Sequence, residues 1–136
     1  MNFYNTMMTE DSNIFNISYK HKTVYVKYYS ELKNTDLIIS SSQLAGHDKF
    51  DEAEYLVWDF SDLTDINHDE YSPSLLTSIA QRLISSNRKI RIAYVTGDID
   101  FRNMINKHLD LSEPLDIDIR LFSTVNEFIV WSHSSS

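Results

Sequence analysis

A chain of 136 residues, 42% hydrophobic and 24% charged, is long enough for one domain that buries about two-thirds of the surface its unfolded form exposes. It has no cysteine, which excludes a disulfide framework, a thiol nucleophile and thiolate metal sites, and makes the cytoplasm the expected location. A net charge of −8 argues against nucleic acid and anionic lipid as partners, and no apolar run approaches the ~20 residues that cross a bilayer.

The negative charge is local. Residues 48–70 hold nine acidic side chains and one basic one, Lys49, while the rest of the chain is balanced. Such a run reads first as a solvated face. Its functional reading is one docking surface for a basic partner.

Taken in order, residues 1–12 lack the basic start and apolar core of a signal peptide and read as a flexible arm. Residues 13–19 (NIFNISY) and 23–29 (TVYVKYY) are β-branched and aromatic, so two strands joined by a short hairpin turn are expected. In the second, Val24, Val26 and Tyr28 alternate with Tyr25, Lys27 and Tyr29, which leaves one face wet. Tyr25, Tyr28 and Tyr29, with Phe3 and Tyr4, form an aromatic group suited to core packing or to a homodimer contact. Residues 34–36 (NTD) can cap a helix that carries Leu37, Ile38, Leu44 and Ala45 and stops at Gly46. Residues 48–54 read as an acidic loop.

From residue 55 onward, strands and amphipathic helices alternate, the rhythm of a parallel sheet covered by helices. Residues 55–60 (YLVWDF) are nearly all apolar, as in a central strand buried on both faces. A polar loop over residues 61–71 follows. Ser72 and Pro73 then open a helix whose apolar stripe is Leu75, Leu76, Ile79, Ala80, Leu83 and Ile84. Residues 90–95 form the next strand. Thr96, Gly97 and Asp98 turn it into a helix carrying Phe101, Met104, Ile105 and Leu109. Residues 117–121 alternate as an edge strand does. Ser123 or Thr124 caps a last helix with Val125, Phe128 and Ile129 inward, and residues 132–136 are a tail. The expectation is a single α/β domain over residues 13–131, a mixed sheet of about five strands with three or four helices.

Residues 55–131 also resemble a known family. A strand ending in Asp59 runs into residues 59–64 (DFSDLT), where the family has a "DLSG"-like strand end. A loop, a long helix, a basic turn at residues 87–89 (NRK), a strand, a helix and a short strand into Phe122 and Ser123 complete the order. This resembles the STAS domain, the fold of the anti-anti-sigma factors, and the SpoIIAA-like proteins within it. The resemblance implies a non-enzymatic regulatory module with a protein partner. It also implies an Asp-Ser pair whose serine is phosphorylated, but here those positions hold Asn67 and His68, and Asp69 and Glu70 stand where a glycine follows. The phospho-switch therefore does not carry over residue by residue.

The site is expected where the loop after residue 60 meets the turn after residue 95. It gathers Ser61, Asp62, Thr64, Asp65, Asn67, His68, Ser72, Ser74, Thr96, Gly97 and Asp98, at the strand end where ligands gather in open α/β sheets. Oxygens in this set could hold a hard cation, but the spacing fits no fixed metal motif, and Asp and Asn are ordinary loop residues. The five histidines are scattered, so no zinc motif can be drawn. Gly46 and Gly97 are the only glycines, too few for a phosphate or dinucleotide loop. No catalytic residue, metal or cofactor is assigned. Two other classes stay open: a carrier of a small hydrophobic ligand or lipid in a groove beside the sheet, and a hydrolase using Asp62, Asp65 or His68.

Overall fold

The computed structural model describes residues 15–31, 33–65 and 72–134. Strands β1 (Phe15–Lys20) and β2 (Thr23–Glu31) form an antiparallel hairpin. His21 and Lys22 link them at φ 51° and 59°, the left-handed pair that a two-residue hairpin turn requires. After β2 come helix α1 (Asn34–Ala45) and the short α2 (Asp48–Glu52). Strand β3 (Tyr55–Asp65), helix α3 (Pro73–Ser86), strand β4 (Arg91–Val95) and helix α4 (Ile99–Ser112) follow. A 3-10 turn (Glu113–Leu115), strand β5 (Ile119–Phe122) and helix α5 (Val125–Ser134) complete the chain.

The sheet order is β1-β2-β3-β4-β5, parallel from β2 to β5. This is the expected mixed five-stranded α/β architecture. The described helices number five, because residues 48–52 form a helix that docks Phe50 in the core. Helix α5 reaches Ser134, into the stretch read as a tail. Strand order equals chain order, so every parallel crossover steps the same way. Right-handed crossovers then place their helices on one face. Helix α3 accordingly packs against both α1 and α4 in a single layer.

Alternation along the strands sends Val24, Val26 and Tyr28, Leu56, Trp58 and Phe60, and Ile92 and Tyr94 under that layer. Their rings form a ladder: Tyr28 stacks on Trp58 (6.1 Å between centroids) and on Phe60 (5.3 Å), and Phe60 meets Phe101 of α4 at 4.8 Å. Tyr28 is fully buried and so belongs to this core, not to a homodimer contact. The opposite face carries Val57, Ala93 and Val95 beneath Phe128 of α5. Trp131 flanks Phe128 at 6.1 Å, while Ile129, expected inward, is exposed because Phe128 and Trp131 take the inward stripe.

Most buried polar groups are paired, Asn16 Oδ1 being an exception. Ser40 and Ser41, which weaken α1 as a sequence, turn their hydroxyls back on the helix: Ser40 Oγ donates to the Asp36 carbonyl at 2.8 Å and accepts from the Tyr28 hydroxyl. Asn87 closes α3 and donates to the carbonyls of Phe50 (2.7 Å) and Ala53 (2.8 Å), fixing the approach to β3.

Candidate functional site

The carboxyl ends of β3 and β4 lie side by side, with Asp59 opposite Val95 as their last pair. This register sets Ser61 and Asp62 beside the turn at Thr96, Gly97 and Asp98. Residues 61–65, expected as loop, are strand: β3 continues to Asp65 by pairing with β2, Tyr29 opposite Asp62 and Glu31 opposite Asp65, across two register shifts. Main-chain pairing with β2 carries the strand through these polar residues. Thr64 and Asp65 stand at its end. Asn67 and His68 lie outside the described residues.

Most polar groups at this end serve the fold. The buried Asp59 carboxylate accepts from the Ser61 amide (3.0 Å) and hydroxyl (2.5 Å). Asp62 pairs with Lys27 at 3.0 Å. That carboxylate, hydrogen-bonded to it, is the main reason the Lys27 ammonium is held above the ordinary lysine range. Thr96 is buried, and its Oγ1 accepts from the Asp98 amide at 3.2 Å. Asp98 caps α4 by accepting from the Phe101 amide at 2.8 Å. A Cβ on Gly97 would meet nothing within 4 Å, so no close approach requires the glycine. Ser72 is the N-cap of α3 without a side-chain cap bond, and Ser72 and Ser74 are both exposed.

Sequence reasoning missed two groups. Arg102 Nη1 donates to the Thr96 carbonyl (2.9 Å) and to Ser123 Oγ (3.0 Å), tying the turn after β4 to the turn after β5. The spacing of Thr124 and Glu127 is a capping-box signature. Glu127 Oε1 accepts from the Ser123 and Thr124 amides, and Thr124 Oγ1 accepts from the Glu127 amide. The second group is buried His108, which follows Phe101 and Ile105 on the apolar stripe of α4. Thr77 Oγ1 donates to the Pro73 carbonyl, so the hydrogen between it and His108 Nδ1 (2.9 Å) sits on the ring. Nε2 then accepts from the Tyr94 hydroxyl at 3.0 Å. Burial pushes the His108 imidazole down to about 4 and raises the Tyr94 phenol.

Ligands in open α/β sheets gather in the crevice where consecutive helices part to opposite faces. Here α3 and α4 leave neighbouring strands and share one layer, so that crevice does not form between β3 and β4. The single acidic docking surface is corrected. Strand β3 separates Glu54 from Asp62 by eight residues, about 26 Å along an extended strand, and Lys22 and Lys49 pair with Glu54 and Glu52 at the far end. Among the described residues no three His, Asp or Glu side chains gather as a metal would need, and no helix is long and apolar enough to cross a membrane.

Two cavities bear on the carrier reading. One, against Ile17, Val24, Leu44 and Phe50, holds about 10 Å³, room for a single water. The other is an open cleft of about 530 Å³ between the hairpin and α5, lined by Tyr25, Tyr55 and Ile129 with Lys20, His21 and Glu54.

No family model matches the chain, and no curated protein matches it. Solved structures do. The anti-sigma factor antagonist SpoIIAA in its unphosphorylated form superposes with a TM-score of 0.59 at 12% identity, over 88% of this chain and 97% of SpoIIAA. A Thermotoga maritima protein assigned as an anti-sigma factor antagonist superposes with a TM-score of 0.54 at 15% identity, over 85% of this chain and 91% of its own. The chain has the SpoIIAA-like fold, that of the STAS domain.

Proposed function

We propose that the chain is a non-enzymatic, cytoplasmic regulatory module that binds a protein partner through the carboxyl end of its sheet. The partner surface comprises Ser61 and Asp62, the strand end and loop with Thr64, Asp65, Asn67 and His68, the first turn of α3 with Ser72 and Ser74, and the turn at Thr96, Gly97 and Asp98. The observation that carries this reading is the fold, whose solved neighbours are anti-sigma factor antagonists. The chemistry of the strand ends supports it: Asp59, Thr96 and Asp98 are engaged in turns and caps, which suits a presenting surface better than acid–base work.

Ser72 and Ser74 are the physically favoured positions for reversible phosphorylation. Both hydroxyls are exposed at the start of a 14-residue helix, where added negative charge meets the positive helix end. The test compares wild type with a Ser72→Ala, Ser74→Ala double variant for partner binding and phosphate content by intact mass. Loss of both in the variant is expected; unchanged binding and unchanged phosphate would remove the serines from the function.

The cleft between the hairpin and α5 supports a second reading, a carrier of a small ligand beside the sheet. Its rim of Lys20, His21 and Glu54 suits an amphipathic molecule better than a wholly apolar one.

A further inference from the structure

The cleft between the hairpin and α5 joins two kinds of surface. Its floor is the rings of Tyr25 and Tyr55, with Ile129 of α5 as a wall. Its mouth is the hairpin turn, which brings the exposed Lys20 and His21. His21 and Lys22 hold φ of 51° and 59°, a left-handed pair for which Asn and Gly are the ordinary choice. The turn is pinned: the Lys22 carbonyl accepts from the Glu54 amide at 2.8 Å, and the His21 carbonyl from Thr23 Oγ1 at 3.3 Å. Of the described residues that line the cleft, Glu54 alone is a carboxylate, and Lys22 pairs with it at 3.5 Å. No carboxylate among the described residues pairs with Lys20 or His21. A chain of net charge −8 thus keeps an uncompensated ammonium at the edge of an aromatic floor.

We infer that this cleft binds a small organic acid, whose apolar body lies on Tyr25, Tyr55 and Ile129 and whose carboxylate is held by Lys20 and His21. The inference rests on the reading of the cleft as a ligand site and adds the charge of the ligand. A volume of about 530 Å³ suits a drug-sized molecule, and such sites combine an apolar lining with a few convergent polar groups. The ammonium selects an anion, and the His21 ring supplies an N–H donor to the same carboxylate. An organic cation would meet Lys20, and would have to displace Lys22 to reach Glu54. The opposite wall sets the direction. Helix α5 ends here, and the carbonyls of a helix C-terminus repel an anion. One of them, that of Ser132, accepts from the Tyr55 hydroxyl at 3.3 Å. The carboxylate therefore points to the hairpin and the apolar body to α5. Tyr55 opens β3 whereas Asp62 lies near its other end, so the cleft and the partner surface can be occupied together.

The test titrates the full chain with three probes of similar shape, naphthoate, naphthalenemethanol and naphthylmethylamine, and follows amide chemical shifts. Naphthoate should bind about tenfold more tightly than the alcohol, the effect of one charge-assisted hydrogen bond. The amine should bind most weakly, and the shifts should centre on Tyr25, Tyr55 and Ile129. Lys20→Gln with His21→Asn should bring naphthoate to the level of the alcohol and leave the alcohol unchanged; asparagine keeps the turn because it accepts positive φ. Lys20→Gln alone, which leaves the turn intact, should still weaken naphthoate several-fold. Equal binding of the three probes in the cleft, or tightest binding of the amine, would overturn the inference and leave the cleft a ligand site of another kind. So would naphthoate binding that Lys20→Gln does not change. No shift at the cleft with any probe would overturn the inference and the ligand-site reading together.

Discussion

The two faces of the sheet are built on different principles. Under α1, α3 and α4, large rings meet from Tyr28 through Phe60 to Phe101, and several helices share the load. On the other face one helix covers Val57, Ala93 and Val95 through Phe128 and Trp131. The first face sets global stability, because removing a ring there opens a gap shared by several elements. The second is a seam, and α5 can part from it while the sheet persists.

Breaking the first face gives the largest effect. Phe60→Ala should cost about 3–5 kcal/mol, read as a lower denaturant midpoint and a single cooperative transition. Phe128→Ala should speed amide exchange in α5 while β3 and β4 keep their protection. Equal loss of protection across all strands in both variants would erase the distinction between the faces.

His108 sharpens the comparison, since it lies on the thick face, locked between Tyr94 and Thr77. Its folded pKa of about 4 is below the ordinary 6.5, so between those values the unfolded chain binds the extra proton. The stabilisation is full above pH 6.5 and is lost as pH falls toward 4, by up to about 3 kcal/mol. Chemical denaturation at pH 7 and pH 4.5, with His108→Phe as the comparison, measures it; a His108→Phe profile as steep as wild type would assign the slope elsewhere.

At the exposed strand end the effects are small. Asp62→Asn should cost under about 1 kcal/mol, and less in high salt, because its pair with Lys27 is half exposed. Gly97→Ala should be neutral or stabilising by a few tenths of a kcal/mol, since there is room for the methyl and the turn needs no positive φ. Thermal melts of both variants check this. A loss above about 2 kcal/mol in either would mean that this end bears the fold.

Much of the fold was legible because periodicity reports burial. The stripe of α3 and the apolar run at Tyr55–Phe60 read correctly, and β5 is the edge strand that its alternation with charge implied. What failed depends on partners distant in sequence. Residues 61–65 look like loop, and only pairing with β2 makes them strand. Residues 48–52 look too acidic to dock, yet Phe50 anchors them. The acidic run is continuous as text, but β3 carries its two parts to opposite ends of the sheet. The candidate residues Ser61, Asp62, Thr96, Gly97 and Asp98 lie at one end of the sheet. Their local bonds were not legible, because hydrogen bonding at turns depends on backbone geometry that residue type alone does not set.

The central claim, that the carboxyl end of this SpoIIAA-like sheet binds a protein, is tested most directly by native mass spectrometry of the protein purified gently from its own cells. Wild type is run beside a folded Asp62→Lys, Ser74→Lys variant. A complex with a discrete protein partner is expected in the wild type and the free chain in the variant. An uncomplexed wild-type chain carrying a small-molecule mass that the variant retains would contradict it and move the function to the cleft beside α5.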